Sequence, residues 1–241
     1  MEPVKRHYIP SYRSDISFSP DKVFFTSDTH FCHANVIEYS QRPFNDIDEM
    51  NEALIRNWNA VVPNDGIVFH LGDFCFGKNK EWNGVLDRLN GSIHLILGNH
   101  DLRMAQHDVM ARFASVLLES RIHVGTRWIW LNHFPMLCYA HERWDWQLFG
   151  HIHTNPRNNN VMSLERMGML MPNQYDVGVD NNNFTPISFH QLEEIIQHQV
   201  ETGKRWEAKE NKNKQSSHAL AADEGVQETR ESDEIISILT S

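Results

Sequence analysis

The chain has 241 residues, 40% of them hydrophobic and 22% charged, an ordinary globular balance that excludes a fibrous chain and one disordered throughout. Its 22 basic and 32 acidic residues leave a net charge of −10. That charge repels nucleic-acid phosphate over most of the surface and argues against a sequence-independent duplex binder, but it is compatible with an enzyme whose site is locally positive.

Residues 1–21 are polar, with prolines at Pro3, Pro10 and Pro20, and read as an arm. Nothing in this stretch resembles the apolar region of a secretory signal. Val23, Phe24 and Phe25 then form a short apolar run that stops at Ser27-Asp28. From Ile47 to Val61, apolar residues at 47, 50, 54, 55, 58 and 61 trace a helical stripe, and Asp46, three before Glu49, predicts a capping box. Ile67-Val68-Phe69-His70-Leu71 ends at Gly72-Asp73, and a shorter stripe of Trp82, Val85, Leu86 and Leu89 follows. Ile93-His94-Leu95-Ile96-Leu97 ends at Gly98-Asn99-His100-Asp101, and residues 104–118 are expected to form a further helix. Trp128-Ile129-Trp130-Leu131 ends at Asn132-His133, and Trp146-Gln147-Leu148-Phe149 ends at Gly150-His151-Ile152-His153. Residues 155–173 read as a loop or irregular hairpin, 175–179 as a last strand, and 188–200 as a helix carrying Leu192, Ile195 and Ile196 on one face.

Short apolar runs bounded by glycine and polar residues fit buried strands, and their alternation with helical stripes predicts α/β architecture. The expected domain spans 22–202. Residues 203–241 form a charged, flexible tail, with six acids against one arginine over 223–234. No apolar run approaches the ~18 residues of a membrane span, so no membrane association is expected. Three cysteines, Cys32, Cys75 and Cys138, are too few for a disulfide framework and suggest a reducing cytoplasm.

The chain holds fifteen histidines. Polar residues stand just after five of the apolar runs: Asp28 and His30; Asp73; Asn99, His100 and Asp101; His133; His151 and His153. Active sites of open α/β sheets lie beyond the carboxyl ends of strands, so five distant stretches could meet on one rim. A single histidine after a strand is ordinarily a satisfied polar residue, and GD or GNHD alone could be turn chemistry. All five in order is a different matter. Carboxylates, an amide and imidazoles suit Mn, Fe, Zn or Ni better than the all-oxygen cages of Ca or Mg. The set is too large for one tetrahedral ion, and two ions sharing a carboxylate would use all of it.

The pattern D-x-H, GD, GNHD, H, GHxH resembles the calcineurin-like metallophosphoesterase superfamily. SDTHFCHANVI, RPF followed by EMN and NWN, LGDF, LNG before GNHD, and DVGVD followed by PIS are similar to a small bacterial and phage branch of it, over residues 23–200. The resemblance implies an α/β/β/α sandwich with mixed sheets and two divalent metal ions, manganese foremost, with iron, zinc or nickel as alternatives. It implies that Asp28, His30 and His153 hold one metal, that Asn99, His133 and His151 hold the other, and that Asp73 bridges them. It implies that His100 acts beside the scissile group as general acid or charge stabiliser, oriented by Asp101. Two cations roughly 3.5–4 Å apart lower the pKa of a bridging water and clamp phosphoryl oxygens for in-line attack by hydroxide.

His33 and Arg42 are candidates to touch substrate phosphate, Arg42 by a bidentate clamp. Cys32, where relatives often carry glycine, is expected to pack, and His70, His94 and His141 are expected to be structural. Serine/threonine protein phosphatases carry GNHE and an arginine soon after the GD aspartate; both are absent here, which counts against that specificity. The expected activity is hydrolysis of a phosphomonoester or phosphodiester of a small or nucleotide-like substrate. The rivals are a DNA or RNA nuclease of the same superfamily, disfavoured by charge, and a non-catalytic scaffold, disfavoured by the complete ligand set.

Overall fold

Val23–Thr26 (β2), Ile67–His70 (β3) and Ser92–Ile96 (β4) pair in parallel, as nearly continuous apolar strands do when both faces of a sheet are covered. Ser115–Leu117 (β5) extends this sheet in parallel beyond β4, and Ile187–Ser188 (β10) closes its other edge antiparallel to β2. The other five strands form a second sheet. Arg13–Phe18 (β1) pairs in parallel with Glu119–Val124 (β6), which turns back antiparallel into Arg127–Asn132 (β7). Trp146–Phe149 (β8) and Gln174–Asp176 (β9) add in parallel. The fold is an α/β sandwich with two mixed sheets, as expected. This computed structural model describes residues 13–104, 108–155 and 168–203, all within the first of two units, Met1–Ala208 and Lys209–Ser241.

Because successive strand residues face opposite ways, each central strand of the first sheet serves two cores. Phe24, Val68, Ile93 and Leu95 pack under Ile47–Val61 (α2) and Asn79–Leu86 (α3), against Met50, Leu54, Trp58, Trp82 and Val85. Phe25, Phe69, Leu71 and Ile96 face the second sheet, meeting Ile122, Ile129, Leu131 and Leu148. Phe189–Thr202 (α4) adds Phe189, Leu192 and Ile196 to that inter-sheet core. Among the described residues no helix is long and apolar enough to cross a membrane.

Helix starts follow the side chains that can cap them. Asp46 accepts a hydrogen bond from the Glu49 N–H (2.8 Å), but the Glu49 carboxylate reaches Asn45, not Asp46, so the expected box is only half formed. Ser188 and Gln191 make the full reciprocal box at the start of α4.

Three expectations change. The described residues of 104–118 do not form the expected helix: 3₁₀ turns at Asp101–Arg103 and Asp108–Arg112 are followed by β5. Val109, Met110 and Phe113 have helix-like spacing because they pack on α3, with Phe113 edge-on to Trp82, while the open edge of β4 recruits 115–117 as a strand. The arm read over 1–21 holds an edge strand from Arg13 and a 3₁₀ turn at Pro20–Lys22. The final strand is shorter than 175–179 and is followed by β10. Most of the 155–173 loop and the 204–241 part of the tail lie outside the described residues.

Candidate metal centre

The loops that leave β2, β3, β4, β7 and β8 all open at one rim, and they are stitched together by backbone. Asp28 N–H donates to Gly72 O (2.9 Å) and His30 N–H to Asp73 O (3.0 Å), so the loops after β2 and β3 continue as a paired ribbon. Gly150 N–H donates to His133 O (3.0 Å), which pairs the loops after β7 and β8. His151 N–H donates to Asp28 Oδ2 (2.9 Å), and Val179 N–H to Ser27 O (3.0 Å), which tie the two sheets to each other.

Packing here leaves no room for side chains on the glycines of GNHD and GHxH. A Cβ on Gly98 would stand 2.2 Å from Asp73 Oδ1, and one on Gly150 2.1 Å from Ser27 Oγ. The backbone is also strained. Asp28, His30, Asp73, His151 and His153 have φ of 55°, 48°, 56°, 69° and 48°, the left-handed region that costs about 1–2 kcal/mol for a residue with a Cβ. Strain concentrated on polar residues of one rim is a mark of function rather than of folding.

The expected ligands come together in two clusters. Atoms of Asp28, His30 and His153 lie within 4.8 Å of one another, and so do atoms of Asp73, His133 and His151. Asp73 Oδ2 stands between them, 3.6 Å from His30 Nε2 and 3.5 Å from His133 Nε2. Asn99 Oδ1 is 3.1 Å from His133 Nε2. All seven expected metal ligands therefore share one site.

The hydrogen bonds behind the ligands decide where the lone pairs point. His133 Nδ1–H donates to Leu71 O (2.7 Å), so Nε2 is the atom the ring turns toward Asn99 Oδ1 and Asp73. His153 Nδ1–H donates to Asp180 Oδ2 (2.7 Å), so its Nε2 faces His30 Nε2 at 3.3 Å and Asp28 Oδ1 at 3.7 Å. Asp28 Oδ1 is buried and accepts no hydrogen bond. Carboxylate, amide and imidazole atoms converging on one space form a donor set that fits divalent ions with mixed nitrogen and oxygen ligands.

Without a cation, burial and the neighbouring carboxylates pull the imidazoles in opposite directions. Burial, then the neighbouring His153, holds His30 well below its usual range, and burial lowers His151 too. His133 is pushed up to about 9: burial works against this, but the hydrogen bond and charge of Asp73 and the charge of Asp28 outweigh it. His153 is likewise raised, by Asp28 and Asp180 against burial.

Two assignments are corrected. Arg42 cannot clamp a substrate phosphate. Its side chain is fully buried, donating from Nε and Nη2 to Asp180 (2.9 Å each) and from Nη1 and Nη2 to the Thr29 and Asp28 carbonyls. It holds Asp180, which is lowered to about 2 because Arg42 and His153 outweigh burial. Asp101 does not orient His100. Its carboxylate accepts the N–H groups of Asp73 (2.7 Å), Phe74 (2.9 Å) and Gly98 (2.9 Å), so it shapes the backbone of two ligand loops. Burial pushes it up to about 6 against those donors.

His100 stands over the centre, with Nε2 3.9 Å from Asp73 Oδ2 and its side chain 37% exposed. His33 is at the same rim, its Nδ1 3.3 Å from His30 Nδ1 and its ring stacked on Phe76. Cys32 packs beside Asn51 against the first core, and His70 is buried on Thr29 Oγ1 (3.0 Å). Asp180 and Phe76 were not anticipated as site residues. Asp180 had a signal, a charge closing the apolar DVGVD run; Phe76 had none.

No family model matches the chain. It is 34% identical over 180 residues to the uncharacterized protein MJ1445 of Methanocaldococcus jannaschii, a match covering 73% of this chain and 92% of that one. It is 28% identical over 180 residues to the gene 66 protein of Mycobacterium phage L5, covering 65% of this chain and 86% of the other. Among solved structures, a protein of unknown function from Aquifex aeolicus, AQ665, superposes with a TM-score of 0.55 at 22% identity over 72% of this chain and 98% of its own.

Proposed function

The chain belongs to the family of the uncharacterized protein MJ1445, and from its motifs and the geometry of its rim we propose that it is a dinuclear metal-dependent phosphoesterase acting on a small phosphate ester. One observation carries the reading. Two clusters of acceptors, with their lone pairs steered inward by Leu71 O and Asp180, share Asp73 between them, and a half-exposed imidazole stands beside the pair.

Asp28, His30 and His153 would hold one cation, Asn99, His133 and His151 the other, and Asp73 both. Bound there, two cations would offset phosphoryl charge and ease deprotonation of water. Manganese is the first choice for this donor set, with iron, zinc or nickel as alternatives. The protein supplies the rest. Asn99 offers oxygen without adding charge, so the centre keeps a net positive field for phosphate. His100 is free to donate a proton to the departing oxygen or to pair with a phosphoryl oxygen, and His33 can do the latter from the same rim. Asp101 and the Arg42–Asp180 pair hold this geometry without touching substrate. Three cysteines with no disulfide among them fit a reducing cytoplasm.

The test is metal analysis together with hydrolysis. The Mn-loaded protein should bind two ions per chain, hydrolyse p-nitrophenyl or bis(p-nitrophenyl) phosphate, and lose that activity to a chelator. Two bound ions with no turnover of any phosphomonoester or phosphodiester would overturn the reading.

A further inference from the structure

A cavity of about 680 Å³ opens beside His100, lined by Phe76, Lys78, Lys80, Arg103 and Met104 among others. That volume suits a nucleotide-sized group. Its charge is opposite to that of the molecule. In a chain with 32 acids and 22 bases, three cations and no carboxylate line this cavity among the described residues. The nearby Glu81 is taken up at the start of α3, accepting the Lys78 N–H (2.9 Å).

The cavity is coupled to the centre through Phe76. The His33 ring stacks on Phe76 at 4.0 Å, His100 meets it edge-on at 5.3 Å, and the Arg103 guanidinium lies over it 4.7 Å from the centroid. Arg103 is thus oriented, with its fork of donors available to an anion.

Resting on the phosphoesterase reading, we infer that this cavity is the leaving-group subsite and that the departing half of the substrate carries its own phosphate, as in a phosphoanhydride such as pyrophosphate or a nucleoside diphosphate. His100 belongs to both the cavity wall and the rim of the centre. A group that takes its proton from His100 must extend past it, into the cavity. In the reaction, the oxygen of water bonds to phosphorus and the bond from phosphorus to the bridging oxygen breaks. Its electron pair goes to that oxygen, which takes a proton from His100. The proton released by water restores His100.

The experiment compares inorganic pyrophosphate and ADP with p-nitrophenyl phosphate, on the Mn-loaded wild type, Arg103→Glu and the double variant Lys78→Glu/Lys80→Glu, both of whose lysines are exposed. Losing a charge-assisted contact should lower kcat/KM for the anhydrides about tenfold or more relative to the nitrophenyl ester. AMP titrated into the metal-free protein should bind the wild type at least about tenfold more tightly than either variant. Equal loss for all substrates, with unchanged AMP binding, would overturn the inference and leave the phosphoesterase reading standing. No turnover of any ester by the metal-loaded wild type would remove both. Preferred cleavage of a short oligonucleotide, with the same dependence on Arg103, would place the second phosphate in a polynucleotide and overturn it as well.

Discussion

Asp73 is the residue on which both clusters lean, with one carboxylate oxygen facing His30 and His133 and the other fixing the His100 N–H at 3.0 Å. Asp73→Asn should therefore weaken both metal sites together, whereas His151→Ala should weaken mainly one. Metal stoichiometry against free-metal concentration separates the cases, and two ions retained at wild-type affinity in Asp73→Asn would refute the bridge. His100→Ala should keep its metal and lose kcat by roughly 10²–10⁴-fold, less for a good leaving group such as nitrophenolate. Loss of metal in that variant would make His100 a ligand. Arg42 belongs to a different class. Arg42→Ala leaves Asp180 buried without its cation, a change of about 3–5 kcal/mol, and a double variant with Asp180→Asn should recover part of it in denaturant unfolding. The residues that meet at the rim were legible in the sequence because glycine-bounded Asp, Asn and His after successive apolar runs are a restricted pattern. Arg42 and Asp101 were not, because a sequence names a guanidinium or carboxylate without saying what it is spent on. Only the fold shows Arg42 turned inward and Asp101 wrapped by three backbone donors.

The strands that could be read were those written as short apolar runs, β2, β3, β4, β7 and β8, with β9 read longer than it is. The strands that escaped are short or alternating. β6 carries Arg121 and His123 between buried Ser120, Ile122 and Val124, and β5 and β10 owe their pairing to an open neighbouring edge. At the end of β9, Asp176 is fully buried, accepting the N–H groups of Gly178 (2.8 Å) and Thr154 (3.1 Å). Burial, then the charge of Asp28, raises it from its ordinary 3.8 to about 7. The folded protein thus holds this proton more tightly than the unfolded chain does. The stability this contributes is complete below about pH 4 and is lost as pH rises toward 7, then stays constant. Asp176→Asn mimics the protonated acid. In metal-free protein its Tm relative to wild type should climb between pH 4 and 7 and level off above. A gap that does not vary with pH would show that Asp176 keeps an ordinary pKa.

At the scale of the molecule, neither sheet holds a complete cluster of the rim. Asp28 and His30 follow β2 of the first sheet, and their partner His153 follows β8 of the second; Asp73 follows β3, while His133 and His151 follow β7 and β8. The inter-sheet core of Phe25, Leu71, Ile129 and Leu148 lies beneath, so apolar packing sets the spacing at which the ligands meet. Sequence order could not show this division, because it says which strand precedes a ligand but not which sheet that strand joins.

That division has a kinetic consequence. If the rim binds metal as proposed, a pair of half-sites would gain affinity only after the two sheets have docked, so divalent ions would recognise the finished molecule but not its halves. Added metal should leave the refolding rate nearly unchanged and slow unfolding by the whole of the binding free energy. In a chevron plot measured with and without Mn, the unfolding arm should drop while the refolding arm stays in place. Metal that instead accelerates refolding would mean that the rim is assembled in the transition state, before the sheets are locked together.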